Sequence, residues 1–303
     1  MQYFPLFVDT QKLKVLIVGG GEVAARKLDL LARTNAEINL IAPEVIEEIL
    51  LRAEKEEVRV QTRAALPEDM PGWDLVYLAT DSESLNLSLA AAAKEAGALV
   101  NVVDTPRACD FITPSIVDRG RMVVAISTAG AAPVFARQIR AKLEAMLPQS
   151  LSPLLNFVAS RRDDVQQRLP SGKARRIFWE RFFQFNGDRF DSQTELCYDL
   201  SFNNVATQGE LLLLETDINP ELLPLAVVPL LQRLDAVYAE CEIPEALNEL
   251  LRRDASRGTL PKLSELSQQL QRGERLLVYA DKACIDSLRA HFPEARFLQP
   301  GAL

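Results

Sequence analysis

The sequence predicts an α/β protein whose N-terminal part is a parallel, doubly wound sheet. Short apolar runs alternate with helical patterns from residue 14 to residue 104, and this alternation is typical of βαβ units. A glycine turn, Gly19–Gly21, joins the first apolar run to the first helical pattern. After Asp104 the alternation stops, so we expect smaller structural units in the rest of the chain.

Each predicted strand of the N-terminal sheet is a short apolar run that ends at a polar residue, a proline or a glycine turn. The predicted strands are Lys14–Val18, Glu37–Ala42, Val58–Gln61, Leu75–Ala79 and Leu99–Val103. The predicted helices between them are Glu22–Thr34, Val45–Glu56 and Glu83–Ala96. Gly97 is the expected C-terminal stop of the third helix.

The chain beyond Asp104 reads as three further units. The first has two strands and a helix, predicted at Phe111–Val117, Met122–Ser127 and Val134–Met146. Residues 151–185 are mostly helical in pattern. A new α/β pattern starts with a strand at Gly209–Glu215 and has a later strand at Leu276–Ala280. The full prediction is therefore a parallel sheet, a small α+β segment, a helical segment and a small α/β C-terminal domain.

Composition excludes several classes of protein. The 303 residues carry a net charge of −8 and are 48% hydrophobic, and no apolar run approaches the length of a membrane span. The four cysteines are scattered and form no CxxC, which argues against a zinc site or a disulfide framework. The first residues lack a basic region followed by a long apolar run, so no signal peptide is evident. We expect a cytoplasmic protein that does not enter a membrane.

The charge is distributed unevenly along the chain. Residues 105–185 have a net charge of +7, between −7 for the residues before them and −8 for those after. A basic middle between acidic ends favours an anionic ligand or an acidic partner surface. The basic segment lacks interleaved aromatic residues until Phe178 and Trp179, and the whole chain is acidic, so nucleic acid is not an expected partner.

The glycine turn is a candidate dinucleotide site. Gly19, Gly21 and Ala24 form a GxGxxA pattern: a tight turn, close approach of the backbone to phosphate, and close packing of helix on strand. The alternative is a tight turn without a ligand. The second strand ends in Pro43 and Glu44 instead of a clean acidic terminus, and no arginine follows directly. NAD is favoured over NADP, but the pattern leaves the choice open.

Three polar residues follow strands on the predicted carboxyl edge, where such sheets bind ligands. They are Thr80, Asp81 and Asp104. A carboxylate at 104 is positioned to act as a general base over a nicotinamide, and the alternative is a capping or turn aspartate. The only histidine, His291, lies far along the chain. Acid–base chemistry near the nucleotide must therefore use carboxylates, hydroxyls or lysines, which favours Asp104.

Residues 1–183 resemble the N-terminal module of siroheme synthases, which combines precorrin-2 dehydrogenase and sirohydrochlorin ferrochelatase activities. The matching stretches are Tyr3–Phe7, Val18–Lys27, Ala79–Asp81, Asn101–Asp104, Phe111–Arg119 and Arg176–Phe183. The resemblance implies a Rossmann-type NAD-binding domain, oxidation of precorrin-2 to sirohydrochlorin by NAD, and insertion of ferrous iron as a substrate. It also implies a homodimer.

The resemblance and the glycine pattern together predict the site residues. The catalytic residue is Asp104. The expected cofactor-binding residues are Gly19, Gly21, Glu22, Val23, Pro43, Glu44, Thr80 and Asp81. The expected substrate-binding residues are Asn101, Ser115, Arg119, Thr128 and Arg137. The expected domains are residues 1–112 for NAD, 113–147 for dimerisation, 148–205 as a helical segment and 206–303 as a degenerate methyltransferase-like domain.

Two departures from the family pattern limit these expectations. The family's Ser-Gly-Gly turn reads Thr128-Ala129-Gly130 here, so regulation by phosphorylation is not expected. Residues 209–281 faintly resemble the first half of the tetrapyrrole methyltransferase module, but Glu215–Pro220 replaces its glycine-rich turn. No methyltransferase activity is expected. The open alternatives are an enzyme with only one of the two activities and a non-catalytic nucleotide or tetrapyrrole sensor.

Overall fold

A computed structural model describes residues 2–203 and 209–301. The chain forms two compact units, Met1–Leu147 and Pro148–Leu303. Each unit contains a five-stranded parallel sheet. Among the described helices, none is both long enough and apolar enough to cross a membrane.

The first unit contains the predicted doubly wound sheet. Its strands are β1 (Lys14–Val18), β2 (Glu37–Ala42), β3 (Arg59–Thr62), β4 (Leu75–Leu78) and β5 (Leu99–Val102), and its helices are α1 (Glu22–Leu31), α2 (Glu47–Glu54) and α3 (Glu83–Glu95). The strands lie in the order β3-β2-β1-β4-β5 and are parallel throughout. The central strand β1 is buried on both faces, since Leu28 of α1 packs on one face and Leu89 of α3 on the other. The predicted α/β architecture is therefore confirmed.

Several predicted boundaries in this unit are shifted from the observed ones, and two of the shifts have a local reason. The first helix ends at Leu31 and not at Thr34, because the Thr34 backbone N–H and hydroxyl both donate to the Leu31 carbonyl. The strand predicted from Phe111 starts only at Ser115. The residues before it run along the edge of β5, where the Asp110 carboxylate accepts a hydrogen bond from the Val100 N–H at 3.0 Å.

A hairpin and a long helix complete the first unit. Strands β6 (Ser115–Arg119) and β7 (Met122–Ile126) pair antiparallel, and helix α4 (Pro133–Met146) follows. The loop between β7 and α4 contains Ala129 at φ 51°, a left-handed conformation that is unfavourable for a residue with a Cβ.

The second unit begins with three helices, α5 (Leu151–Arg168), α6 (Gly172–Asn186) and α7 (Thr194–Leu200). Aromatic rings fill the space between them: Phe178 and Phe182 of α6 are fully buried, and Tyr198 of α7 meets Phe178 edge-on with ring centroids 5.3 Å apart. Edge-to-face pairs of this kind add to the stabilisation from burial alone.

The rest of the second unit is a second parallel sheet with helices on both faces. Its strands are β8 (Glu210–Glu215), β9 (Ala236–Ala239), β10 (Ser256–Gly258), β11 (Arg275–Ala280) and β12 (Arg296–Phe297), and its helices are α8 (Val228–Leu231), α9 (Glu245–Leu250), α10 (Leu263–Gln271) and α11 (Lys282–His291). The strand order is β10-β9-β11-β8-β12.

Ion pairs join α6 to the N-terminal ends of these strands. Arg176 bonds to Asp235, which precedes β9, and the Arg275 guanidinium lies 2.6 Å from the Glu180 carboxylate. Lys173 donates to the Arg272 carbonyl at 2.5 Å. The helices α5–α7 and the second sheet are therefore held together by charged contacts as well as by chain connectivity.

Candidate functional site

A cleft of about 730 Å³ opens at the carboxyl ends of β1, β2 and β4. In a parallel sheet this edge is the expected ligand site. The cleft brings together every residue that the sequence assigns to the cofactor: Gly19, Gly21, Glu22, Val23, Pro43, Glu44, Thr80 and Asp81. Three loops that are far apart in the chain therefore form one concave surface.

Two glycines hold these loops at close distance. A Cβ added to Gly19, which has φ 120°, would lie 2.3 Å from the Ala79 carbonyl oxygen. One added to Gly20 would lie 2.0 Å from the Glu44 carbonyl oxygen. The pattern analysis assigns a role to Gly19 but none to Gly20, although Gly20 is the residue against which the second loop packs. Only the tertiary contact between the two loops identifies it.

Gly21 lies differently from its two neighbours. Its φ is −92°, which any residue adopts, and a Cβ placed on it would meet no described atom within 4 Å. It is the N-cap of α1, and no described side chain caps that helix start. The first N–H groups of α1 therefore remain available beside open space in the cleft, as a pyrophosphate requires. These residues fit a dinucleotide.

Thr80 is fixed by a buried residue that the sequence analysis did not identify. The side chain of Asn86, 4% exposed, makes hydrogen bonds to the hydroxyl, the N–H and the carbonyl of Thr80. A sequence signal for it exists. Asn86 lies on the same helical face as Leu89, Ala90 and Ala93, so it is a polar residue on an apolar stripe.

Asp104 lies on the same carboxyl edge but outside the cleft lining. It follows the edge strand β5, two strands from β1, which corresponds to about 10 Å. Its side chain is exposed, and its φ of 58° is left-handed. Aspartate and asparagine adopt this conformation more readily than other non-glycine residues. The Cys109 sulfur holds the turn by accepting from the Val102 N–H at 3.2 Å.

Two of the predicted substrate residues are buried and bonded within their own unit. The Asn101 amide, 7% exposed, donates to the Phe111 carbonyl at 2.9 Å. The Arg119 guanidinium, 4% exposed, donates to the Leu147 carbonyl at 2.7 Å and to the Glu144 carboxylate at 2.6 Å. These contacts give both side chains structural roles, with Arg119 holding the end of α4. Their roles toward a substrate stay predictions.

The other three predicted substrate residues lie on the hairpin, its following loop and α4. Ser115 begins β6, and Arg137 is exposed on α4. The Thr128 hydroxyl accepts from the Ala132 N–H at 3.2 Å, so it orders the loop ahead of α4. The structure places these three residues in one segment of the first unit, and their contact with a substrate stays a prediction.

A half-buried lysine adds a titratable group that the sequence analysis did not single out. Lys27 of α1 donates to the Thr113 hydroxyl at 3.2 Å and lies 5.6 Å from the centre of the Tyr77 ring. Burial lowers the pKa of Lys27, and the nearby Cys109 thiol opposes that shift. The same burial raises the pKa of Tyr77.

Comparisons with known proteins agree with this arrangement. Residues 6–115 match a family model described as putative NAD(P)-binding. Residues 119–146 match the sirohaem biosynthesis protein central model, and residues 150–190 match the sirohaem synthase dimerisation region. The three models follow one another along the chain in the order in which its structural units occur.

Curated siroheme synthases are similar over most of the chain. The chain is 38% identical over 265 residues to that of Nitrosococcus oceani and 41% identical over 266 residues to siroheme synthase 1 of Yersinia enterocolitica. Both matches cover 85% of this chain but 57% and 56% of the relatives. The chain thus spans less than two thirds of their length, and the similarity continues beyond residue 190.

A solved structure shows the same fold. It is described as SirC, precorrin-2 dehydrogenase, and it matches with a TM-score of 0.56 at 22% identity, covering 66% of this chain and 98% of the other. The family model for NAD(P) binding covers the sheet that carries the cleft, and the central model covers most of the hairpin β6–β7 and the helix α4. The curated relatives match across both regions. Over residues 6–190 this chain therefore belongs to the siroheme synthase N-terminal module family.

Proposed function

We propose that this chain oxidises precorrin-2 to sirohydrochlorin with NAD and then inserts ferrous iron to give siroheme. The observation that carries the proposal is the cleft, in which all eight predicted cofactor residues meet beside the uncapped N-terminus of α1. The family membership supplies the substrate class, because the relatives that match over 85% of the chain are siroheme synthases.

The cofactor half of the site is the glycine turn. The N–H groups at the start of α1 bind the pyrophosphate, and Gly21 leaves the space for it. NAD is favoured over NADP because Arg63, next to the cleft residue Ala64, is held by both oxygens of Asp69 at 2.6 and 2.7 Å. The bidentate bond to Asp69 occupies the Arg63 guanidinium, so it is not available to bind the 2′-phosphate of NADP.

The catalytic half of the site is Asp104. When bound, NAD accepts the hydride that precorrin-2 loses. Asp104 takes the proton that leaves the tetrapyrrole in the same oxidation, and its exposed carboxylate passes that proton to water. In the second reaction Asp104 accepts protons displaced from the pyrrole nitrogens as ferrous iron enters. One carboxylate serves both reactions because each requires a base over the same ring system.

The anionic substrate is bound by the basic middle of the chain. Precorrin-2 and sirohydrochlorin carry eight carboxylates, and residues 105–185 carry a net charge of +7. On α4 the exposed cations are Arg137, Arg140 and Lys142. We assign Arg137 to a substrate carboxylate, together with the hydroxyls of Ser115 and Thr128. Asn101 and Arg119 act instead by holding the backbone that carries these residues.

The active form is a homodimer. A model described as a dimerisation region matches residues 150–190, and α6 exposes Phe183 and Phe185 there. The helix α4 also exposes apolar side chains, Phe135 at 56% and Met146 at 71%. Exposed aromatic and aliphatic surface of this kind supports association with a second copy. The expected mass in solution, measured by light scattering, is that of two chains.

The C-terminal sheet has no methyltransferase activity in this proposal. The residues after β8 are Thr216, Asp217 and Ile218, and the residues after β9 are Glu240, Cys241 and Glu242. Without glycine, the backbone after β8 cannot approach a nucleoside as the turn after β1 does. The second sheet serves instead to support the helices α5–α7, to which its ion pairs join it.

Absorbance spectroscopy tests the two activities separately. Precorrin-2 is incubated with the protein with and without NAD, and sirohydrochlorin is then given ferrous or cobaltous ion. The expected result is NAD-dependent formation of sirohydrochlorin, followed by the spectrum of the metallated product. Unchanged spectra in every condition, with NAD still bound, favour a sensor. A change in only one assay shows an enzyme with that activity alone.

The matched variant is Asp104→Asn, which keeps the left-handed backbone conformation that asparagine tolerates. We expect its turnover to fall by about 10² or more, because general base catalysis contributes 10²–10⁴. Its NAD affinity, measured by calorimetry, should stay within about twofold, because Asp104 lies outside the cleft lining. Turnover equal to that of the unmodified protein would remove Asp104 from the mechanism.

A further inference from the structure

Asn86 devotes its side chain to one residue of the cofactor cleft. Its Oδ1 accepts from the Thr80 hydroxyl at 2.6 Å and from the Thr80 N–H at 3.3 Å, and its Nδ2 donates to the Thr80 carbonyl at 2.9 Å. The three bonds use every polar group of Thr80. Because Asn86 is 4% exposed, water does not compete freely for them.

The position of Thr80 matters because the glycine turn rests on it. The Gly19 Cα lies so close to the β4 terminus that an added Cβ would be 2.3 Å from the Ala79 carbonyl oxygen and 3.3 Å from the Thr80 nitrogen. A small displacement of Ala79 or Thr80 would therefore change the width of the cleft at the residues that face a pyrophosphate. Thr80 itself has little left to offer a ligand, because its hydroxyl proton and both backbone groups are used.

We infer that Asn86 is a positioning residue for the dinucleotide, one that acts through Thr80 and does not touch the cofactor. It fixes the turn between β4 and α3 at the distance from the glycine turn that the dinucleotide requires. Ser82 holds the far end of the same turn by accepting from the Leu85 N–H at 3.3 Å. This inference rests on the proposed binding of NAD, and it needs neither the dehydrogenase nor the iron reaction to be correct.

A purely structural role for Asn86 predicts a different result, and the chain offers a matched control. Asn39 of β2 is another buried asparagine of the first unit, 7% exposed; it lies outside the cleft lining, and its Nδ2 has no hydrogen-bond partner among the described residues. Truncation of either asparagine leaves a small cavity, whereas only Asn86→Ala breaks bonds to Thr80. Only truncation of Asn86 should change the cofactor site.

The experiment measures NAD affinity by calorimetry and thermal stability for the unmodified protein, Asn86→Ala and Asn39→Ala. Asn86→Ala leaves three polar groups of Thr80 without their partner, so we expect the Kd for NAD to rise about tenfold or more. Asn39→Ala should leave the Kd for NAD within about twofold of the unmodified value, because Asn39 lies outside the cleft lining. With precorrin-2 present, the KM for NAD should rise in Asn86→Ala and the KM for precorrin-2 should not.

The outcomes are distinct. A Kd for NAD in Asn86→Ala that matches the Kd in Asn39→Ala overturns the inference, whatever the two melting temperatures. If Asn86→Ala does not fold, Thr80→Val removes the hydroxyl bonds to Asn86 and to the Ser82 backbone but keeps the two backbone bonds to Asn86, and a Kd equal to that of the unmodified protein then overturns the inference. If the unmodified protein itself binds no NAD, the proposed function fails first, and that failure is visible before any variant is measured.

Discussion

The two sheets of this chain share an architecture and differ in the turn after their first strand. In the first unit, β1 leads through three glycines directly into α1, and the helix start remains uncapped beside a cleft. In the second unit, β8 ends at Glu215 and leads through Thr216-Asp217 to a short 3-10 turn at Pro220–Leu222. Both sheets have five parallel strands with buried central positions.

In both units the sheet sets the position of the loops at its edge, and the residues of the turn after the first strand decide whether an anion can bind there. The first turn leaves backbone N–H groups available for an anion. The carboxylates that follow the strands of the second sheet, such as Asp217 and Glu240, repel an anion. Burial, with Glu240 and Asp281 adding to it, raises the pKa of Cys284 to about 11. The edge of the first sheet leaves backbone N–H groups available for a ligand. In the second unit, charged side chains at the sheet are paired with other side chains of the protein, as in Arg176–Asp235 and Arg275–Glu180.

The largest change in stability is expected at Gly20, which packs against the second loop, and not at Gly21, which borders the proposed pyrophosphate site. Gly20→Ala places a Cβ 2.0 Å from the Glu44 carbonyl oxygen, so we expect a loss of about 3 kcal/mol in unfolding free energy. Gly21→Ala meets no described atom, so its stability should change by less than about 0.5 kcal/mol. Urea denaturation and NAD calorimetry measure both. NAD affinity retained in Gly21→Ala would mean that the turn is not the phosphate site.

Alanine variants of Arg119 and Arg137 distinguish an arginine that stabilises the fold from one that binds the substrate. Arg119→Ala removes the bonds that end α4, and we expect a loss of about 2–3 kcal/mol in unfolding free energy. Arg137→Ala removes an exposed side chain, and its stability should stay within about 0.5 kcal/mol while the KM for precorrin-2 rises. Equal stability for the two variants would show that the Arg119 contacts contribute nothing.

A pH series on Asp235 tests the second unit. Burial alone would raise the pKa of Asp235, but hydrogen bonds from Arg176 and the Arg275 N–H outweigh it, and the pKa is lowered. The stabilisation is therefore present above the unfolded pKa near 3.9 and is lost as pH falls through the lower folded pKa. Asp235→Asn should cost about 2 kcal/mol at pH 7.

As the pH falls below about 3.9 and through the lower folded pKa, the same variant should approach the unmodified protein, because protonation makes both side chains neutral. Urea denaturation from pH 7 down to about pH 2 measures the convergence, and NAD affinity at neutral pH serves as the control because Asp235 lies in the other unit. A stability difference that stays constant across this range would show that charge at Asp235 is not its cause.

The smallest expected effect is a gain. Ala129 has φ 51° where the family pattern has glycine, and a left-handed alanine costs about 1–2 kcal/mol. Ala129→Gly removes that strain but makes the unfolded chain more flexible, so we expect a net gain of about 0.5–1 kcal/mol. Thermal denaturation measures it. A lower melting temperature would mean that the Ala129 methyl group makes a stabilising contact that outweighs the strain.

From the sequence alone it was possible to predict the first sheet, the residues that line one cleft at its edge, and the family. Apolar runs of strand length and the glycine pattern are local signals, because strand burial and a tight turn each depend on a few consecutive residues. That is why β1 and β2 were predicted with their observed bounds. The polar residues after each strand were grouped correctly because parallel strands end at one edge.

The sequence does not show which polar side chains make their hydrogen bonds within the protein, and the tertiary structure does. Arg119 appeared as a free cation in a basic segment, and its bonds to Glu144 and Leu147 depend on how α4 returns to the hairpin. Gly20 carries no local signal that assigns it, because its partner Glu44 meets it only when two separate loops converge. Asn86 carries a signal of burial, as a polar residue on an apolar helical face, but the pattern does not identify Thr80 as its partner. Local pattern fixes elements and edges, whereas contacts between distant segments fix which polar groups remain for a ligand.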